Sequence, residues 1–145
     1  MLETSKQISL EDYRSLAEFR YQIRRYIHFG EQKARAVGLE PQQHQLLLAV
    51  KGLPQGRKAT ISEIAGRLQI QHHSTVELVN RLAERGMVER KRDAEDHRRV
   101  IICLTAQGEA ILQQLSAAML TELRTAGPAL VEALGLLISG RTSAE

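Results

Sequence analysis

Five cations, Arg90, Lys91, Arg92, Arg98 and Arg99, crowd around the run Asp93-Ala94-Glu95-Asp96-His97, and upstream of them Ser74, Glu77 and Arg81 recur at helical spacing. Guanidinium and ammonium groups at this density neutralise phosphates, and an arginine fork fits guanine in a major groove or enters a narrow minor groove. The chemistry on offer is recognition. Bond making has no comparable candidate: no Ser/His/Asp grouping, Gly-rich phosphate loop or supported carboxylate pair occurs, so no enzyme is expected. Metal binding is also disfavoured. His72 and His73 are adjacent, so on a helix they project about 100° apart and do not chelate together as an i, i+4 pair does. His97 stands well away from them, and Cys103, inside an apolar run, reads as a small buried hydrophobe. No metal or other cofactor is expected.

Positioning the polar groups takes a helix pair and a hairpin. Thr60 and Glu63 have capping-box spacing, in which hydroxyl and carboxylate each satisfy a backbone N–H at a helix start. Ile61, Ile64, Ala65 and Leu68 then follow the helical period, and Gln69-Ile70-Gln71 breaks it. A second helix is predicted over 72–85, with Val76, Val79, Leu82 and Ala83 buried, Ser74, Glu77, Arg81 and Arg85 opposite, and Leu78 at the border. Gly86 is its left-handed stop. Residues 87–92 and 98–104 read as a β-hairpin with a polar tip, its second strand rich in β-branched Val100, Ile101 and Ile102. A polar stripe on the second helix of a tight pair is what a major-groove reader needs. Arg81 suits guanine O6/N7, His73, Ser74 and Thr75 suit phosphates or base edges, and Glu77 orients Arg81. The competing reading is a solvated face with Glu77 and Arg81 as an ordinary i, i+4 pair.

The helix-turn-helix, the wing written Asp93-x-x-Asp96-x-Arg98, and the strand ending in Leu104-Thr105-x-x-Gly108 together resemble the MarR (multiple antibiotic resistance regulator) family of winged-helix repressors. The resemblance is strongest over 60–108, and the helical flanks fit the family's length and order. It implies a mainly α fold with a small β-hairpin wing. Residues 1–145 would form a single domain, with a winged helix-turn-helix lobe at 60–105 and N- and C-terminal dimerisation helices at 10–37 and 106–138. It implies a homodimeric repressor on double-stranded DNA of pseudo-palindromic sequence, with Arg98 in the minor groove and Asp96 holding the basic side chains of the wing. Arg90, Lys91, Arg92 and Arg99 would touch phosphates. A small, often aromatic ligand would bind between the dimer helices and the DNA-binding lobe and shift the spacing of the reading heads; Phe19, Tyr26 and His44 are candidates to line that pocket. His97 stands where the family usually has a second arginine, which ties the charge of the wing tip to pH. Oxidant sensing in part of the family uses a cysteine near the start of the first helix, and this chain has none there.

The flanks supply a reason for the lobe to exist twice. Residues 1–9 read as a loosely held arm. A first helix starts near Leu10 and carries all five aromatic residues, Tyr13, Phe19, Tyr21, Tyr26 and Phe29, spread around it beyond what one internal face requires. Gly38 stops it and Pro41 opens the next helix, 41–51, whose Leu46, Leu47, Leu48 and Val50 make it apolar nearly all round and central. Beyond the wing, Thr105 caps a helix over 106–126 with Ile111, Leu112, Leu115, Met119 and Leu123 as its stripe. Gly127-Pro128 breaks it, and a last, almost wholly apolar helix follows over 129–138. Such a helix calls for burial against a partner.

Composition agrees. The net charge is +3, and residues 57–99 hold ten Lys/Arg against seven Asp/Glu while the remainder holds ten of each, so the whole excess lies in the helix-turn-helix and wing. One cysteine excludes an internal disulfide, the apolar runs are too short to span a bilayer, and no signal pattern opens the chain, so the cytoplasm is the expected compartment. The rival is a winged-helix protein–protein module without DNA binding. A basic wing disfavours it, because a protein-binding surface would expose apolar anchors there.

Overall fold

The computed structural model describes residues 7–140. In chain order they form α1 (Leu10–Ala36), α2 (Pro41–Lys51), α3 (Ile61–Leu68), α4 (His72–Glu84), β1 (Val88–Arg92), β2 (Val100–Leu104) and α5 (Ala106–Ser139). This is the expected mainly helical chain with one antiparallel hairpin. Residues 1–6 of the expected N-terminal arm lie outside the described residues, and 7–9 have no regular structure.

Each helix start has a local cause. At α1, Ser9 Oγ accepts from Asp12 N–H at 3.1 Å and Asp12 Oδ2 accepts from Ser9 N–H at 2.9 Å, a reciprocal cap. The helix ends where Gly38 takes φ +82° and Leu39 N–H reaches back to Ala34 O at 2.9 Å. Pro41 opens α2 at a position whose N–H would have no helical partner. At α3, Glu63 N–H donates to Thr60 Oγ1 at 3.2 Å, but the other half of the predicted capping box is absent. The Glu63 carboxylate instead lies 3.5 Å from Arg57, and Thr60 N–H goes to Lys58 O. The turn from α3 to α4 passes through Gln69 at φ 56°, a left-handed residue that lets Ile70 N–H close on Ala65 O at 3.1 Å.

The chain divides into two units, one made of residues up to Gly30 and from Ala118 onward, the other of Glu31–Ala117. The second unit holds the main core. Leu39, Leu46, Leu47, Ile64, Val79, Leu82, Ile102 and Leu115 are its fully buried aliphatics, each stabilising the lobe by about 1.5–3 kcal/mol relative to exposure. Helix α2 is less central than its composition suggested: one face is buried, while Leu48 is 44% exposed.

In the hairpin Val88 faces Leu104 and Arg92 faces Val100. The outer edge of β2 is also used, because Ile102 N–H donates to Ala59 O at 2.9 Å and so ties in the segment before α3. Thr105 joins the hairpin to α5: its hydroxyl donates to Gly86 O at 2.6 Å and accepts from Gly108 N–H at 3.1 Å. Gly108 lies so close to the turn before β1 that a Cβ there would stand 2.1 Å from Met87 O. The Leu-Thr-x-x-Gly pattern is therefore a packing joint.

In the first unit the segments of α1 and α5 approach where Gly30 meets Met119; a Cβ on Gly30 would be 3.2 Å from Met119 Cε. The expected break at Gly127-Pro128 is not there: α5 continues through Pro128 to Ser139. Proline forfeits one helical hydrogen bond, but its ring clashes partly with the Cβ of the preceding residue, and Gly127 has none. Much of this unit's apolar surface is open, with Leu10, Tyr13, Leu16, Tyr21, Ile27, Leu120, Val131, Leu134 and Ile138 all exposed. Among the described residues no helix is long and apolar enough to cross a membrane.

Candidate nucleic-acid interface

Helix α4 buries Thr75, Leu78, Val79 and Leu82. The buried face is thus turned from the expected one: Val76 and Ala83 are only half-buried, and Thr75 is wholly inside. The Thr75 hydroxyl donates to Gln71 O at 3.0 Å, so its polar atom is satisfied within the helix and its methyl packs as a small aliphatic. Thr75 is accordingly removed from the set of candidate DNA contacts. The outward stripe consists of His72, His73, Glu77, Asn80, Arg81 and Glu84, with Ser74 half-buried beside it. Glu77 and Arg81 form no ion pair among the described residues, so Glu77 does not orient Arg81 here. Arg85, placed on this stripe by its periodicity, faces elsewhere: it donates to Gly38 O at 2.7 Å and to Gln43 Oε1 at 3.3 Å, securing the end of α1 against α2.

The wing cations are each placed differently. Arg90 donates to Asn80 Oδ1, linking β1 to the outward face of α4. Lys91 lies 3.2 Å from Glu89, whose hydrogen bond and charge raise the Lys91 pKa. Arg92 donates to His97 O at 2.8 Å and spans the hairpin tip. Asp96 Oδ1 accepts from both the backbone N–H and Nε–H of Arg98 at 3.1 Å. Those bonds hold the Asp96 carboxyl below its ordinary range, while the Arg98 side chain stands 91% exposed. Arg99 leans back, with its guanidinium 3.4 Å from Asp93 Oδ2 and 3.9 Å from Asp96 Oδ2.

Asp93 is the anchor that sequence reasoning left out of the site. It is 2% exposed; its Oδ1 accepts from Lys58 Nζ at 2.7 Å and from Glu95 N–H at 3.1 Å. Oδ2 has no hydrogen bond among the described residues and is balanced only by the charge of Arg99. The Lys58 bond is the main cause holding the Asp93 carboxyl below its usual range, and the same bond, with one to Glu95 at 2.9 Å, raises the Lys58 pKa. The available signal was the first Asp of the wing pattern, a carboxylate beside an apolar strand that needs a cation. Asn80 carried no such signal.

The three candidate ligand-pocket residues fall in different units. Phe19 and Tyr26 belong to the first, where Tyr26 lines a crevice of about 10 Å³, room for one water and not for an aromatic ring. His44 belongs to the second, where burial lowers its pKa. His72, His73 and His97 are all exposed, Cys103 is half-buried, and among the described residues no three His, Cys, Asp or Glu side chains converge on a metal position.

Residues 37–99 match the family model described as MarR family. A Bacillus subtilis protein, the HTH-type transcriptional regulator YsmB, is 36% identical over 56 residues, covering 39% of this chain and 38% of that protein, so the match spans well under half of that relative's length. Among solved structures, AbsC, a MarR family transcriptional regulator from Streptomyces coelicolor, superposes with a TM-score of 0.73 at 16% identity, covering 94% of this chain and 93% of that one. MepR, a regulator of the Staphylococcus aureus multidrug efflux pump MepA, gives 0.67 at 21% identity over 84% and 88% of the two chains. A single-residue variant of S. aureus MepR bound to an oligodeoxyribonucleotide gives 0.63 at 22% identity over 92% and 93%. At these identities the structural likeness speaks to the fold.

Proposed function

We propose that the chain is a transcriptional regulator of the MarR family, whose model matches residues 37–99, and that it acts in the cytoplasm as a homodimeric repressor on a pseudo-palindromic duplex. The reading is carried by the Arg98 guanidinium, which a two-point contact with Asp96 presents to solvent at the wing tip rather than folding it back. A preorganised cation of this kind suits a narrow minor groove, because the side chain gives up little further freedom on binding. His73, Ser74, Glu77 and Arg81 on α4 are the groups that would meet a major groove, with Arg81 free to take a guanine edge. Arg90, Lys91, Arg92 and Arg99 are the phosphate contacts. A MepR variant of similar fold is bound to an oligodeoxyribonucleotide, which supports the same partner here. Relief by a small ligand completes the proposal, and such a ligand acts only by binding one arrangement of the two reading heads better than the other.

The test is a mobility-shift titration with the duplex upstream of the protein's own gene. Binding should weaken steeply as salt rises, and Arg98→Ala should cost roughly tenfold or more in affinity with the fold intact. Unchanged affinity in that variant removes the wing from the interface. No duplex binding at low salt replaces the proposal with a protein-binding module.

A further inference from the structure

Lys58 stands outside the hairpin, yet it is bonded to the wing tip. Its Nζ lies 2.7 Å from Asp93 Oδ1 and 2.9 Å from Glu95 Oε2, and its side chain is only 30% exposed. The backbone beneath it is held on the body of the lobe. Lys58 O accepts from the N–H of Thr60, the cap of α3, at 2.8 Å, and the neighbouring Ala59 O accepts from Ile102 N–H of β2 at 2.9 Å. The ladder ends at the pair Arg92 and Val100. Beyond it the tip is closed by a few bonds of its own: Asp93 N–H to Arg99 O at 3.0 Å, Arg99 N–H to Asp96 O at 2.9 Å, and Arg92 to His97 O. A tip held so sparsely belongs to the low-stability end of a fold unless something outside ties it down. Among the described residues, the hydrogen bonds and ion pairs at 93–99 come from within the hairpin except those of Lys58.

From Lys58 a chain of alternating charges runs to the end of the wing. Asp93 Oδ2 faces Arg99 at 3.4 Å, Arg99 reaches Asp96 Oδ2 at 3.9 Å, and Asp96 Oδ1 holds the backbone N–H and Nε–H of Arg98. Asp93 is the buried member of the chain, at 2% exposed, so its charge requires a cation close by. Without Lys58 the carboxylate either turns out to water or draws Arg99 wholly to itself. Both moves change the grip of Arg99 on Asp96, and with it the place of Arg98. We propose that Lys58 is a positioning residue for DNA binding: anchored on the lobe, it sets the place of the Arg98 guanidinium through Asp93, Arg99 and Asp96 and touches no DNA itself. A lysine already committed to two carboxylates brings no spare charge to a phosphate. The inference rests on the reading in which Arg98 meets the duplex.

The test has one arm without DNA and one with it. In the free protein, backbone order parameters at 94–99 should fall from about 0.85 to about 0.6 or lower in Lys58→Met, while those of β1 and β2 hold. On the duplex upstream of the protein's own gene, Arg98→Ala should cost about tenfold in affinity in the parent but less than about twofold in the Lys58→Met background, where the place of Arg98 is already lost. Lys58→Arg, whose fork can span both carboxylates, should restore the order and the tenfold effect. Because Lys58→Met strands a buried carboxylate, the double variant Lys58→Met with Asp93→Asn, which strands none, is measured beside it and should behave alike. A general loss of stability makes the losses from Lys58 and Arg98 add. A direct phosphate contact by Lys58 makes them add while lowering the salt slope by about one per protomer. Either result overturns the proposal, as does a tip that stays as ordered in Lys58→Met as in the parent. A parent that binds no duplex, with the order parameters still changing, brings down the DNA-binding reading and this role with it; order parameters that stay put while the parent binds bring down this role alone.

Discussion

Gly108 has no space for a side chain, because its missing Cβ would lie 2.1 Å from a backbone oxygen, that of Met87. Backbone cannot swing aside as a flexible side chain does, so Gly108→Ala must separate α5 from the turn before β1. The cost should be roughly 3 kcal/mol, a fall of about 10 °C in melting temperature; a melt within two or three degrees of the parent would show that the joint is looser than it looks. Titration behaviour is equally local. Burial lowers the His44 pKa, so the unfolded chain takes up a proton at that residue before the folded one does. Its neutral form favours the fold fully above the ordinary histidine value of 6.5, and that advantage drains away as pH falls below it toward the lowered one. The wing behaves otherwise. Asp93 titrates below its ordinary 3.8 and Lys58 above its ordinary 10.5, so their bond persists from mild acid to mild base. Thermal melts from about pH 7 to about pH 5 should therefore lose stability, His44→Gln should flatten that slope, and the side-chain carboxyl carbon resonance of Asp93 should hold its chemical shift throughout. An Asp93 carboxyl resonance that titrates with the melt would refute the separation.

Helices were legible where punctuation and period agreed. Gly38 with Pro41, Thr60 before α3, Gly86 after α4 and Thr105 before α5 all act through backbone geometry or a short-range cap, which a sequence displays directly. Three features were hidden for physical reasons. Thr75 looks polar, yet a hydroxyl bonded within its own helix can be buried like a methyl group. Gly127-Pro128 looks like a stop, yet the glycine relieves part of the proline's clash and α5 runs on. Lys58 and Asp93 are 35 positions apart, and no local pattern joins them. At the candidate interface, the exposure of Glu77 and Arg81 on α4 and the hairpin cations were readable from spacing, whereas the rest of the outward face, and which cation is free and which is tied down, depends on packing and on such distant partners. Element-level propensity also makes a prediction. Gly66 lies inside α3 with nothing within 4 Å of where its Cβ would stand and without positive φ. Gly66→Ala should stabilise the protein by about 0.5–1 kcal/mol, raising its melting temperature by a few degrees. A lower melt would mean that α3 needs the bare backbone for something that touches it.

The unit built from the ends of the chain leaves exposed the kind of surface that a lone molecule rarely tolerates. Val131 is 71% and Ile138 77% exposed, with Leu134 between them on α5 and Leu10, Tyr13 and Leu16 open on α1. In the proposed homodimer, these exposed apolar residues of the two helices are where a second copy would pack, since it would bring the same residues. Val131→Glu combined with Ile138→Glu adds charge at positions where a monomer has no reason to object, so helicity should be unchanged while sedimentation reports one chain in place of two. The consequence for recognition follows from arithmetic. A dimer holds its second reading head at high effective concentration over the second half-site, and losing that linkage should cost on the order of 100-fold in affinity for an intact pseudo-palindrome. Each head contributes its own phosphate contacts, so the slope of log affinity against log salt should also fall to about half in the monomeric variant. Arg98→Ala separates the two effects: it should lower the slope by about one contact per protomer while leaving the dimer whole. If the double glutamate variant still sediments as a dimer, the copies meet through another face; if it sediments as a monomer yet keeps parental affinity and slope, one head alone binds the duplex.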